Sequence, residues 1–403
     1  MSQKALAGVK VVELCHMVCG PYAAKLMADL GAEVVKVEEP GGGDPARSRG
    51  PFLRDVPHGE RSGLFLYLNT NKLGITLNLR KPEGKKAFKQ LIKETDILIE
   101  DNPPGVMKEL GLDYDTLKAV NPMLIMTSVT PFGQTGPYKD FRAFHLNVYH
   151  AGGDGYLLSS GPEFWKREPT RGGRYLGYYE AGIGAAGATM AALFARDVIG
   201  SGQHVDVSMQ ESLISLNRGV LTRYPNEGFV ESRSSRQYEW GGIMRCKDGY
   251  VLLQAFNQQH HWTGLVELMG NPEWAKDEKY KTRFSRAANR DELNAHISEW
   301  MKDHTMDEIY HGGQKRGVPA GPFYTPQEVV NSPQLQARGF FVEMEHPEVG
   351  KLKYPSVPFH LSSTPVTGGV GAPLLGQHNE EVLCERLGYS RDDLVRMRGN
   401  GII

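Results

Sequence analysis

The sequence predicts a doubly wound α/β large domain followed by a smaller α/β domain. Three observations carry that expectation. Short apolar, β-branched runs recur at residues 9–15, 33–37, 96–100 and 123–128. Segments of helical composition lie between them, which is the alternation of a parallel sheet covered on both faces. The character then changes after residue 221, where a polar stretch separates this region from a second set of elements.

The elements follow in order. Residues 9–15 form a strand, and Gly20-Pro21 breaks the chain and sets proline at a helix start. Residues 22–30 have helical composition and Gly31 stops them. Residues 33–37 are the next strand, closed by the breaker run 40–44. A unit this compact implies a parallel pair with a right-handed crossover. Residues 82–94 read as a charged amphipathic helix, 113–120 as another helix, and 178–197 as a glycine- and alanine-rich helix. Its uncharged core, 181–195, is 15 residues long with three glycines, too short for a membrane span, and predicts a tightly packed buried helix. A strand at 203–208 and a helix at 209–220 complete the first region. Residues 222–242 read as a linker that includes Arg233, Ser234, Ser235 and Arg236. Beyond it lie a strand at 250–254 and helices near 261–269, 291–303 and 305–312. The resulting division is a large domain over 1–200 with a return segment over 330–403, a linking helical region over 201–225, and a small domain over 226–329.

Composition narrows the function. The chain has 403 residues and 40% hydrophobic content, enough for two cores. Its 46 basic and 47 acidic residues give a net charge of -1, which excludes the basic footprint of a nucleic-acid binder. The first residues, Met-Ser-Gln-Lys-Ala, have no apolar signal core, so no membrane association is expected. Four cysteines are too few for a disulfide scaffold and point to a reducing cytoplasm. Cys15, His16 and Cys19 have no second ligand pair nearby, so no metal site is expected.

Ligands in doubly wound sheets bind at the carboxyl ends of the strands. That rule places residues 16–19, 38–44, 101–105 and 130–136 on the ligand face. The helix entry at 16–21 lacks the Gly-x-Gly-x-x-Gly of a nicotinamide site.

Six local patterns, weak singly but specific in their order, extend from residue 6 to 378. They are Leu6-x-Gly8 leading to Gly20-Pro21; residues 30–38, Leu-Gly-Ala-Glu-Val-Val-Lys-Val-Glu; Asn69-x-Asn71-Lys72; Gly200-x-Gly202-Gln203 running to Ser208; residues 317–322, Gly-Val-Pro-Ala-Gly-Pro; and Ala372 to Gly376 with His378. Together they resemble the family III CoA-transferases, the family of formyl-CoA and carnitine CoA-transferases. The resemblance implies two monomers interlocked like chain links, with the linking region threading the partner. It implies CoA thioesters and carboxylic acids as substrates and no permanently bound cofactor.

In that family an Asp carboxylate attacks the donor thioester to give a mixed anhydride, and CoA thiolate then converts it to an enzyme-bound thioester. The Asp stands in a Gly-Asp-x-x-x-Gly pattern. Here the matching stretch is Gly177 to Gly182, and the nucleophile position is Tyr178. A phenol of pKa about 10 cannot replace a carboxylate in this chemistry at neutral pH. Glu180 is the one substitute the stretch offers, but on a helix a two-residue offset turns the side chain by about 200°. Further departures occur where the family meets CoA phosphate. Glu39 stands at a position that is often basic, Leu73 where Arg usually follows Asn-x-Asn-Lys, and Glu109 where Arg is expected. Lost cations and added anions both weaken phosphate binding.

The residues the resemblance leaves for CoA are His16, Met17 and Val18 in the first loop, with Lys72, Lys108 and Arg142. Gly241 and Gly242 match a mobile glycine loop. His145 matches the histidine of acyl-CoA racemases, which share the fold, but its Asp partner would again fall at Tyr178. Together these departures predict a non-catalytic subunit paired with a catalytic paralogue, as in two-subunit enzymes such as succinyl-CoA:benzylsuccinate CoA-transferase. Such an enzyme would pass CoA from succinyl-CoA to an aryl succinate. The alternatives are a homodimer using Glu180 and an acyl-CoA racemase or epimerase.

Overall fold

The structure, a computed structural model, describes residues 4–157, 168–170, 172–216, 218–232, 240–254, 258–366 and 368–403. The chain divides into two compact units. One comprises Met1–Asp154, Arg171–Arg218 and Gln334–Ile403, and the other Gly155–Thr170 and Gly219–Pro333.

The first unit is built on a six-stranded sheet in the order β3-β2-β1-β4-β5-β6, parallel throughout. The strands are β1 (Lys10–Leu14), β2 (Glu33–Glu38), β3 (Lys72–Thr76), β4 (Ile97–Glu100), β5 (Ile125–Thr130) and β6 (His204–Ser208). The helices of this unit are α1 (Cys19–Asp29), α2 (Gly63–Leu68), α3 (Pro82–Ile92), α4 (Val106–Leu110), α5 (Tyr114–Lys118) and α6 (His145–Ala151). After α7 (Asp154–Leu157), which crosses into the other unit, come α8 (Leu176–Ile199) and α9 (Met209–Leu216). β4 and β5 are buried along their whole length, as covering on both faces requires. One core gathers Val12, Val35, Ile75, Phe88, Leu98 and Met126 with Val382, Leu394 and Ile403 from the return segment.

α8 departs from its expected burial. Gly177, Ala181, Gly182, Ala185, Ala186, Thr189 and Ala192 are buried, but Ile183, Phe194 and Val198 are 56%, 79% and 80% exposed. The small residues let α1 approach closely, since a Cβ on Gly182 would lie 2.8 Å from the Cys19 carbonyl oxygen. The large apolar residues sit on the other face. This is also the one helix among the described residues long and apolar enough to cross a membrane.

The second unit contains most of α10 (Arg218–Glu227) and a three-stranded antiparallel sheet of β7 (Gly241–Arg245), β8 (Tyr250–Gln254) and β9 (Ala320–Pro322). Helices α11 (Gln259–Leu268), α12 (Arg283–Ala288), α13 (Arg290–Met301) and α14 (Met306–Gln314) pack around Trp262, Tyr280, Leu293 and Ile297. Of the expected helix over 209–220, residues 209–216 and 218–220 are helical, and helix continues to Glu227. The beginning of the expected linker is therefore helical, whereas Arg233, Ser234, Ser235 and Arg236 lie outside the described residues.

Candidate active site

The strand order reverses direction between β1 and β4, and a crevice opens outside the carboxyl ends of strands at such a switch point. Two segments meet there. Residues 15–18 join β1 to α1, and residues 101–105 follow β4. Met17 is held at φ +60°, a left-handed conformation that costs a non-glycine residue about 1–3 kcal/mol. Two carboxylates enforce it. The His16 N–H donates to both Asp101 carboxylate oxygens at 2.9 Å, and the Met17 N–H donates to Asp44 Oδ1 at 2.9 Å. His16 Nδ1 also lies 3.1 Å from Asp101 Oδ1.

A buried charge network fixes Asp44. Its Oδ2 pairs with Lys36 Nζ at 2.8 Å, and Lys36 also reaches Glu13 Oε1 at 2.7 Å. Glu13 Oε2 in turn pairs with Lys72 Nζ at 2.6 Å. Burial alone would raise the carboxyls of Glu13 and Asp44. Lys36 overcomes it in both, with Lys72 helping at Glu13, and holds both below the usual carboxylate range. Burial, with the nearby Lys36, pulls Lys72 down to about 8 against the opposing pull of Glu13, so it is still protonated at neutral pH.

The first turn of α8 faces the same loop. Tyr178 belongs to a cluster with Met17, Val18, Tyr22, Tyr67, Tyr175 and Tyr179, its ring stacked on Tyr175 at 6.4 Å. Burial, then the neighbouring Cys19 thiol and the Asp101 carboxylate, push its phenol up to about 12, so it stays a neutral donor. His145 makes an edge-on ring contact with Tyr178 at 5.4 Å, and its Nε2 accepts the Gly177 N–H at 3.1 Å. Glu180 is raised by burial and by the nearby Asp154 charge. Beside this turn, a cleft of about 430 Å³ is lined by Pro51, Leu64, Tyr67, Arg174, Tyr175 and Tyr179. Among the described residues no cluster of His, Cys, Asp and Glu could hold a metal ion.

Residues 6–379 match the family model described as CoA-transferase family III. This chain belongs to CoA-transferase family III. It is 35% identical to a succinyl-CoA–D-citramalate CoA-transferase of Chloroflexus aurantiacus, over 99% of this chain and 98% of that protein. It is 32% identical to human succinyl-CoA:glutarate CoA-transferase, over 99% of this chain and 90% of that protein. A solved CAIB/BAIF family protein from Brucella suis matches with a TM-score of 0.85 at 31% identity, covering 96% of this chain and all of that one (100%). The transferase therefore moves coenzyme A between carboxylic acids, with CoA thioesters as substrates.

The transferase brings some of its sequence-predicted site residues together and separates others. His16, Met17, Val18 and Tyr178 converge at the switch point. Lys72 lies beneath them and does not reach a ligand. Its ammonium ion-pairs with Glu13 Oε2 at 2.6 Å and donates to the Pro21 carbonyl at 2.8 Å and Asn69 Oδ1 at 2.9 Å, so it is committed inside the protein rather than offered to a phosphate. Lys108 is exposed on a separate cleft of about 270 Å³, with Glu100, Ser128, Lys139 and His204. Arg142 is exposed, as are Glu39 and Glu109. Leu73 packs against the core. Gly241 and Gly242, expected in a glycine loop, lie in a strand. They are buried in β7 opposite Gln254 and Leu253, at φ +78° and +104°, and a Cβ on Gly241 would fall 2.5 Å from the Leu253 carbonyl oxygen.

Sequence reasoning missed Asp44 and Asp101 as the clamp on the first loop. Both stand on the predicted ligand face, just after β2 and β4. A carboxylate following a parallel strand next to the switch point is the signal that could have found them.

Proposed function

We propose that this chain is the subunit of a heteromeric family III CoA-transferase that does not itself carry the acyl group, and that a catalytic paralogue supplies the nucleophilic Asp. The observation that carries this reading is the occupant of the nucleophile position. Tyr178 is a neutral phenol among aromatic rings, and Glu180, the one nearby substitute, is raised by burial and by the nearby Asp154 charge. Glu39, Leu73 and Glu109 remove the charge that CoA phosphates would seek. The exposed Ile183, Phe194 and Val198 on α8 are an apolar face for an interlocked partner to cover. The segment linking the two units would thread that partner, and the cytoplasm is the proposed compartment.

Succinyl-CoA is the proposed donor, as in the names of the two relatives above. The acceptor is an aryl succinate of the benzylsuccinate kind. The tyrosine-lined cleft suits an aromatic body, with Arg174 available to a second carboxylate.

Expression with and without a paralogue tests the subunit role. Turnover is expected only in the mixture, lost when the partner's Asp is replaced and unchanged by Glu180→Gln here. Full turnover by this chain alone refutes it. An acceptor screen with succinyl-CoA, scoring benzylsuccinate against aliphatic dicarboxylates, tests the substrate.

A further inference from the structure

We propose that His16 and Asp101 give this chain a second activity, the hydrolysis of CoA thioesters by water without an acyl-enzyme. The inference rests on the placement of the thioester beside the first loop, at the mouth of the switch-point crevice. It goes beyond transfer because no acceptor acid and no enzyme nucleophile takes part.

A hydrolytic site needs a base open to the substrate, a group that orients the base, and a donor for the developing oxyanion. The structure supplies the first two, and Tyr178 is assigned the third. His16 keeps 47% of its side chain open to solvent, while its Nδ1 is engaged 3.1 Å from Asp101 Oδ1. That contact fixes the tautomer, leaving Nε2 as the free basic nitrogen. Asp101 is 7% exposed, and its two oxygens also accept the His16 N–H, so it grips the residue at backbone and ring together. Tyr178, in the same aromatic cluster as Met17 and Val18, keeps its proton and is the donor the proposal assigns to the oxyanion. The strained conformation at Met17, held by Asp44, keeps His16 in register. In a member with a carboxylate at position 178, a thioester entering this site would be captured covalently. With Tyr178 there, the carbonyl carbon is left to water.

The step balances without any redox partner. A water oxygen bonds to the thioester carbonyl carbon as its proton passes to His16 Nε2, and the carbonyl π pair moves onto oxygen, facing the Tyr178 hydroxyl. Collapse breaks the C–S bond, and His16 returns the proton to sulfur. The products are the free acid and the CoA thiol. His16 is the catalytic base and Asp101 a positioning residue.

The pH profile carries a signature. The hydrogen bond to Asp101 comes first among the causes that raise the His16 pKa; burial opposes it, the Asp101 and Asp44 charges add to it, and Lys36 opposes it. The neutral ring is the active form, so the rate rises with pH through that raised value and then levels.

The test uses the full chain with whatever partner it carries, the partner's nucleophilic carboxylate being replaced by Asn. Thiol release from succinyl-CoA is followed without acceptor acid, and succinyl-CoA binding is measured in parallel. His16→Gln is expected to lower release by about 10²-fold or more while binding stays intact. Asp101→Asn is expected to lower release and move the rise to lower pH, which a purely structural role would not do. Tyr178→Phe is expected to lower release without moving the profile. Release that His16→Gln leaves unchanged, or bound succinyl-CoA that is not hydrolysed, overturns the proposal. Failure to bind succinyl-CoA removes the placement of the thioester and the hydrolysis with it, while leaving the subunit role to its own test.

Discussion

Replacing Lys72 with methionine separates a structural lysine from a ligand-binding one. Its ammonium is fully buried, ion-pairs with Glu13 Oε2 at 2.6 Å, and donates to the Pro21 carbonyl at 2.8 Å and Asn69 Oδ1 at 2.9 Å. Methionine fills similar volume but offers none of these bonds. Glu13 keeps Lys36 at 2.7 Å on its other oxygen, so its charge is only half abandoned. Breaking a buried pair by removing one partner costs about 3–5 kcal/mol, and the surviving Lys36 puts this case at about 3 kcal/mol. With a urea m-value of about 3 kcal/mol/M, the unfolding midpoint falls by about 1 M. Circular dichroism is the right probe, because Trp240, Trp262, Trp274 and Trp300 belong to the other unit. CoA affinity, measured by titration at a urea-free pH 7, is expected to change less than about twofold, a difference of about 0.4 kcal/mol. An unmoved midpoint with affinity lowered about tenfold or more would refute the argument and return Lys72 to the phosphate site.

Two further outcomes follow from the first unit. Gly202→Ala is expected to destabilise by at least about 2 kcal/mol, read as loss of soluble yield and a lower melting temperature. Its Cβ would lie 1.9 Å from the Leu124 carbonyl oxygen, a backbone atom that cannot rotate away; a variant as stable as the parent would show that the β5–β6 junction yields. Glu13 and Asp44, whose carboxyls are depressed in the folded state, contribute stability that is complete above the unfolded value of about 4 and lost as pH falls through the folded ones. Asp44→Asn should therefore flatten the loss of stability below about pH 4, and an acid limb as steep as the parent's would assign that loss elsewhere.

The strands legible in the sequence were those whose burial is written in local composition. β1, β2, β4 and β5 are apolar, β-branched runs, and their bounds fall within two residues of the expected ones. β3 was not read as a strand. Its five residues, Lys-Leu-Gly-Ile-Thr, begin with a charge and contain a glycine, and nothing nearby in sequence neutralises Lys72. Its partner Glu13 arrives from β1, beyond β2 in the sheet. The glycines of α8 were read as a fully buried helix because composition counts small residues without reporting which face they occupy. Gly241 and Gly242 match a glycine loop in sequence because the same two residues serve a loop and a strand with positive φ equally well.

The candidate site failed to be legible for a related reason. Its aromatic floor depends on α8 crossing α1, and its clamp depends on Asp44 after β2 and Asp101 after β4 converging on two consecutive amides after β1. In the sequence each is an ordinary polar loop residue. Only the parallel order β2-β1-β4 brings them to one place, because it sets the carboxyl ends of β2 and β4 on either side of β1. The two carboxylates also divide the work. Asp44 is neutralised by Lys36 and is left with holding Met17. Among the described residues Asp101 pairs with no lysine and meets the His16 ring instead. Burial raises the Asp101 carboxyl while His16 lowers it, so its ionisation is tied to the imidazole it faces. That difference makes one clamp a scaffold and the other the partner of an imidazole.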